Sequence, residues 1–241
     1  KPSKEMLIIL KKKKLWIFHQ LITGDILKDN QMHEVFKKIK KHRIIAVLEI
    51  DSLEHITPLC ETLLSSGINI IELALRTKVA QKATELIIKK FPQLIVGLGT
   101  VINEDQVKFA INSGVSFAVA PGCNPKILDL AKKNNLLFSP GICSPTDIEI
   151  SLDYGCDVLK FFPAEHCGGV PYLHSINNPY KHLNLNYIPL GGINISNVKN
   201  YLNSDLVLAV GGSWLAPKHL INSKKWQVIS SNCKEINNLI L

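Results

Sequence analysis

The sequence predicts a single-domain α/β protein, a parallel (β/α)8 TIM barrel behind a basic amino-terminal extension. Three observations lead there. Short β-branched runs alternate with longer stretches of helical period from residue 44 onward, eight such runs can be counted, and no linker or compositional break divides them. The runs are apolar on both faces, as strands are when helices cover one side and a packed interior the other.

In order, the strands are "IIAVLEI", "NIIELAL", "LIVGLGT", "SFAVAPG", "LLFSPGI", "DVLKFFP", "NYIPLGG" and "LVLAVGG". Between the first six lie "LEHITPLCETLLSSG", "KVAQKATELIIKKFP", "NEDQVKFAINSG", "NPKILDLAKKNN" and "SPTDIEISLDYG", several closed by the Gly or Asn that ends a helix. After residue 168, "GGVPYLHSINNPYKHLNLN" carries the weakest helical period. A doubly wound sheet is the alternative; strand number and even spacing favour the barrel.

Charge is unevenly placed. The net charge of +8 falls within residues 1–43, which hold twelve Lys or Arg against four acids, so residues 44–241 are neutral. A neutral body does not suit a folded surface that grips a polyanion. The arm, with "LKKKKLW", could touch RNA or an acidic membrane, but a short Lys run is ordinarily a solvated one. It has neither the core and cleavage site of a signal peptide nor the composition of a transit peptide. Met32 opens "MHEVFKKIKKHRIIAVLEI", where clean periodicity starts, so the expected division is residues 1–31 as extension and residues 32–241 as barrel.

No apolar run reaches the roughly 18 residues of a membrane span. The six cysteines, Cys60, Cys123, Cys143, Cys156, Cys167 and Cys233, show no C-x-x-C spacing, which argues against a zinc site and for packing thiols in a reducing cytoplasm. The expectation is a soluble, cytoplasmic protein with no metal, no nucleic acid and no membrane partner.

In a parallel barrel, chemistry sits where strands end. Alternation puts Glu72, Ala74 and Arg76 on one strand face and Ile71, Leu73 and Leu75 on the other, so the charged set points inward, Glu72 deeper and Arg76 nearer the mouth. A buried ion pair fixing the strand is the bland explanation. Lys160 in "VLKFFPAEHCGG" stands in an apolar run whichever face it takes. Desolvation favours the neutral amine, the form that attacks a carbonyl to give a Schiff base. Gly191 with Gly192, and Gly212 with Ser213, end the last two strands, where barrels bind phosphate on backbone N–H groups and a following helix start. Arg76 matches a carboxylate in bidentate fashion, and Thr100 can add a donor. Together these groups describe a 2-oxo acid with a phosphate at its far end.

The set resembles a known family, the bacterial 2-keto-3-deoxy-6-phosphogluconate (KDPG) and 4-hydroxy-2-oxoglutarate (KHG) aldolases. The resemblance spans residues 30 to 225 and rests on "ELALRT", "GLGTV", "APG", "SPGI", "DYG", "LKFFPAE", "GGV", "LGGI" and "GGSWL" in that order. It implies a class I aldolase, an aldehyde-lyase that yields pyruvate and glyceraldehyde 3-phosphate or glyoxylate, without cofactor, as a homotrimer of the Entner–Doudoroff type of carbohydrate metabolism. Carried over by position, Lys160 is the Schiff-base lysine, Glu72 the proton-transfer residue and Arg76 the pyruvate-carboxylate ligand. Thr100 and Pro121 match the pyruvate pocket, Phe162 its apolar wall, and Gly191, Gly192, Gly212 and Ser213 the phosphate loops.

Two features depart from the family pattern. Leu190 stands where the family often has Thr, which removes a hydroxyl near the phosphate or sugar chain, and the basic arm has no counterpart. The competing classes are a phosphate-binding barrel isomerase, which gives Lys160 no necessary role, and a non-enzymatic nucleic-acid-binding module, which accounts for the arm alone.

Overall fold

The computed structural model describes residues 32–240. The extension expected over residues 1–31 lies outside the described residues, and the chain divides after Lys37. The strands that carry the site all belong to the unit beginning at Lys38.

The elements follow one another as α1 (Glu34–His42), β1 (Ile44–Leu48), α2 (Ile56–Ser65), β2 (Ile70–Ala74), α3 (Ala80–Lys90), β3 (Ile95–Gly99), α4 (Glu104–Ser113) and β4 (Phe117–Val119). Then come α5 (Pro125–Lys133), β5 (Phe138–Ser139), β6 (Gly141–Ile142), α6 (Pro145–Asp153), β7 (Val158–Phe161) and α7 (Gly169–Asn177). The chain finishes with β8 (Asn186–Pro189), α8 (Val198–Leu202), β9 (Val210–Gly212), α9 (Lys218–Asn222) and α10 (Trp226–Ile240). This is the alternating α/β order expected, and the segment with the weakest period is helical too, as α7 and a following 3-10 stretch.

Every strand pairing is parallel. Six strands form one sheet in the order β5-β4-β3-β2-β1-β9, and three form another, β6-β7-β8. The sequence predicts a single fifth strand where the structure has two short ones. Pro140 interrupts "LLFSPGI" because it has no amide N–H to continue the ladder. Its carbonyl still accepts the Lys160 N–H at 2.9 Å, so the two sheets meet there. They approach again where Tyr187 of β8 makes an isolated parallel bridge with Val207, just ahead of β9. That region is the second correction: of "LVLAVGG", only Val210–Gly212 is regular strand.

Local chemistry explains why the turns after the strands hold still. Asn103 caps α4 by accepting from the Gln106 N–H, and Gly114 closes it in the left-handed region. Asn124 caps α5 with Pro125 at its first position. Ser144 and Asp147 form a capping box on α6, and Asp147 Oδ2 also accepts from the Cys143 N–H at 3.0 Å. Each cap thus lies in a loop that leaves a strand end.

Packing is continuous around the strands. All five residues of β2 and all four of β7 are buried, including Glu72 and Lys160. Along β3, Gly97 and Gly99 make room: a Cβ on Gly97 would stand 2.2 Å from the Phe117 ring, and one on Gly99 would stand 2.2 Å from Glu72 Oε1. Among the described residues no helix is long and apolar enough to cross a membrane.

Candidate active site

Lys160 and Glu72 reach each other from different sheets. Glu72 sits mid-β2, registered between Val47 of β1 and Gly97 of β3. Lys160 sits on β7 between Gly141 of β6 and Ile188 of β8. Its Nζ donates to Glu72 Oε1 at 3.0 Å, and neither side chain is more than 4% exposed. Two charges held so far from water require one another, since either alone would be an uncompensated buried ion. The pair also supplies a chemical capability: over 3.0 Å, a proton can pass between amine and carboxylate without solvent. The Phe162 ring lies 5.6 Å from Nζ and walls the amine on another side.

Arg76 follows β2 by two residues and stands nearer the mouth, half-exposed. Its Nε donates to Thr100 Oγ1 at 3.0 Å. Thr100 takes φ +62°, the left-handed region that a β-branched residue rarely enters, and strain of this kind gathers at functional sites. With Nε occupied, the terminal nitrogens of Arg76 keep their fork of donors for an anion. Glu49, one residue past β1, lies 3.9 Å from Arg76 Nη1 and accepts from Lys218 Nζ at 2.6 Å.

The glycine loops close the cleft. Gly191 and Gly192 have φ of +97° and +78°, and the amide N–H groups of Gly192, Ile193 and Ser213 have no acceptor among the described residues. A Cβ on Gly191 would press on the Phe162 ring at 3.2 Å, and one on Gly212 would enter the Trp214 ring. The helices that follow these loops, α8 and α9, have five residues each, and the free donors are the expected loop amides. Leu190 fills the space beneath them, its Cγ 2.6 Å from where a Cβ on Gly211 would stand.

Glu72, Arg76, Lys160, Phe162, Gly191, Gly192, Gly212 and Ser213 therefore line one cleft of roughly 500 Å³ of solvent-open space, together with Val47, Leu190, Ile193 and Gly211. Thr100 joins through Arg76 rather than by lining the cleft. Pro121 does not line it: the residue is exposed, with its backbone packed against Gly141. Among the described residues, no group of three His, Cys, Asp or Glu is placed to hold a metal ion. All six cysteines are free thiols.

Three contributors were not singled out from the sequence. Gly99 was visible as a glycine inside an apolar strand, the usual sign of a close approach. Glu49 was visible as an acid two residues beyond Val47 on β1, the same alternation that marks Glu72 and Arg76. Lys218 gave no signal, because its partner Glu49 lies 169 residues away.

Comparisons with known proteins agree on one group. The family model described as KDPG and KHG aldolase matches residues 35–232. The 2-dehydro-3-deoxy-phosphogluconate aldolase of Haemophilus influenzae is 36% identical over 207 residues, covering 86% of this chain and 97% of that protein. The KHG/KDPG aldolase of Escherichia coli K12 is 34% identical over 192 residues, covering 80% of this chain and 89% of that one. Among solved structures, the KDPG aldolase of Legionella pneumophila, with pyruvate captured as a covalent carbinolamine, is similar at a TM-score of 0.79 and 35% identity, covering 84% of this chain and 97% of that one.

Proposed function

The chain belongs to the KDPG and KHG aldolase family, and from that premise we propose that Lys160 is its Schiff-base nucleophile and Glu72 the group that moves protons. The enzyme is a class I aldolase, an aldehyde-lyase that cleaves KDPG to pyruvate and glyceraldehyde 3-phosphate. The same chemistry extends to KHG, giving pyruvate and glyoxylate. The observation that carries the assignment of roles is the buried 3.0 Å contact between Lys160 Nζ and Glu72 Oε1 at the base of the cleft.

The cycle starts when the proton shared by the pair rests on Glu72. The free amine attacks C2 of the oxo acid, forming the C–N bond as the carbonyl π pair moves to oxygen. A proton passes from the nitrogen to that oxygen by way of Glu72 to give the carbinolamine, whose hydroxyl then takes the Glu72 proton and leaves as water while the nitrogen lone pair forms the C=N bond. The resulting iminium is the electron sink, so neither metal nor organic cofactor is needed for that role. Glu72, now a carboxylate, takes the proton of the C4 hydroxyl. The C3–C4 bond then breaks, its electron pair moving to C3 of an enamine as the aldehyde leaves. Protonation of C3 and addition of water to the iminium release pyruvate and restore the amine.

The remaining residues hold the substrate. Arg76, braced by Thr100, receives the C1 carboxylate. Phe162 covers the pyruvyl methylene, and the free amides of Gly192, Ile193 and Ser213 take the phosphate. Leu190 adds an apolar side chain to the cleft lining, so the substrate meets fewer hydrogen-bond partners there. We take residues 32–241 as the catalytic domain, with its two sheets acting as one closed (β/α)8 barrel, and residues 1–31 as an appended arm. The reading extends to a cytoplasmic homotrimer, which rests on family resemblance. Isomerase and nucleic-acid-binding readings leave the buried pair without a role.

Borohydride trapping tests this. Incubation with pyruvate and borohydride followed by peptide mapping should show a reduced pyruvyl adduct on Lys160, and Lys160→Arg should abolish both adduct and cleavage. An adduct on another lysine, or none at all, overturns the assignment.

A further inference from the structure

Four charged side chains from three places in the sequence form one chain of contacts that begins at Arg76, which lines the cleft. Glu49 follows β1, Arg76 follows β2, Lys218 opens α9, and Asp51 lies in the β1 loop. Lys218 Nζ sits 2.6 Å from Glu49 Oε1 and 3.0 Å from Asp51 Oδ1, and Asn222 donates to Asp51 at 2.9 Å. The side chain of Glu49 is only 28% exposed, so this carboxylate is held by the fold.

Its second oxygen faces Arg76. At 3.9 Å from Nη1, Oε2 is too distant to occupy a guanidinium donor but close enough to act on its charge. Arg76 therefore offers its fork of donors to an incoming carboxylate while already sharing its field with a resident one. A bound oxo acid would bring a second carboxylate to the same guanidinium, and like charges sharing one counter-ion repel. Lys218 offsets part of that repulsion because it is hydrogen-bonded to Glu49.

We infer that Glu49 and Lys218 set the affinity of the site for carboxylated oxo acids: Glu49 is a resident competitor for Arg76, and Lys218 tempers it. The inference rests on Arg76 being the carboxylate ligand. It makes the two residues specificity-determining groups of opposite sign that do not themselves touch the reacting atoms. The site thereby trades tight holding of pyruvate for its release, and it discriminates less between carboxylated and neutral carbonyl compounds than a free arginine would.

The test reads binding through the covalent adduct rather than turnover. Half-saturating pyruvate for borohydride trapping on Lys160 is measured at low salt for the parent enzyme, Glu49→Gln, Lys218→Met and the double variant. Glu49→Gln should lower the half-saturating concentration about two- to fivefold, the range expected for one partly screened charge. Lys218→Met should raise it by a similar factor, and the double variant should lose most of the Lys218→Met effect. Pyruvamide, which has no carboxylate, should respond to neither substitution, and added salt should shrink both effects. Half-saturation in Glu49→Gln equal to or above the parent value, with trapping on Lys160 intact, overturns the inference, as does a Lys218→Met enzyme that binds pyruvate like the parent. If the parent itself gives no Lys160 adduct, the aldolase assignment fails first and this inference with it.

Discussion

Lys160 Nζ donates to Glu72 Oε1 at 3.0 Å across a separation of 88 residues, and each partner comes from a different sheet. The contact joins the two sheets in the cleft through an amine and a carboxylate that can exchange a proton. Stability and chemistry therefore depend on the same pair. Lys160→Met strands Glu72 as a buried carboxylate and should destabilise the fold by about 3–5 kcal/mol. Lys160→Met combined with Glu72→Gln should recover most of that loss, since no unpaired charge remains. Denaturant midpoints of the four proteins close the cycle. Glu72→Gln alone leaves Lys160 unpaired in its turn and should cost a comparable amount of stability, while the turnover of the protein that stays folded falls about 10²- to 10⁴-fold, the usual worth of positioned proton transfer.

Gly99 should be irreplaceable for catalysis although it has no side chain. A Cβ there would stand 2.2 Å from Glu72 Oε1 and 2.9 Å from its Cδ, and the carboxylate cannot swing away without leaving Lys160. Gly99→Ala should displace the carboxylate by about an ångström and slow imine formation about 10²-fold, with KM changed far less. Single-turnover kinetics separate the two. Parent-like imine formation in Gly99→Ala would mean that the placement of Glu72 is not critical.

The buried thiols give a pH dependence whose sign can be worked out. Burial pushes Cys60 and Cys233 up to about 12 from an ordinary 9.0. A thiol held neutral in the folded protein ionises more readily once unfolded, so its contribution to stability is complete below pH 9.0 and is lost progressively between 9.0 and about 12. Denaturation midpoints should therefore fall over that window, and Cys60→Ala/Cys233→Ala should flatten the slope. In the native protein at pH 8, a maleimide should label exposed Cys143 well before these two, as peptide mapping would report.

The parts of this molecule that were legible in its sequence are those governed by period. Alternating runs announced the parallel strands, and a charge inside an apolar run announced Lys160 and Glu72, because burial of such a group demands a reason. The division of the fifth strand was half visible: Pro140 marks a break, but that its carbonyl would then hold the Lys160 backbone depends on register between strands, which no local pattern encodes. Positions beyond strand ends were harder to place. Thr100 and Pro121 follow β3 and β4 in loops, where no period says which way a side chain turns; the first braces Arg76 and the second is exposed. Glu49 was readable by alternation, but its meaning depends on Lys218, brought near by folding alone.

Gly192 separates recognition of the phosphate from recognition of the oxo acid. Its φ of +78° suits glycine, and a Cβ would collide with Glu165 Cβ at 2.7 Å, a stem atom that cannot swing aside as a side-chain tip can. Gly192→Ala must therefore shift the loop that carries the free Gly192 and Ile193 amides, without touching Lys160, Glu72 or Arg76. Losing about one charge-assisted hydrogen bond costs about 1.5–3 kcal/mol, so KM for KDPG should rise on the order of ten- to hundredfold. KM for the unphosphorylated KHG, and half-saturating pyruvate in the borohydride reaction, should change less than about twofold, since neither ligand has a phosphate for those amides to hold. Steady-state kinetics on both oxo acids decide the matter. Equal losses for KDPG and KHG would mean that the loop supports the whole site, and the phosphate would then have to be sought at the Gly212–Ser213 turn.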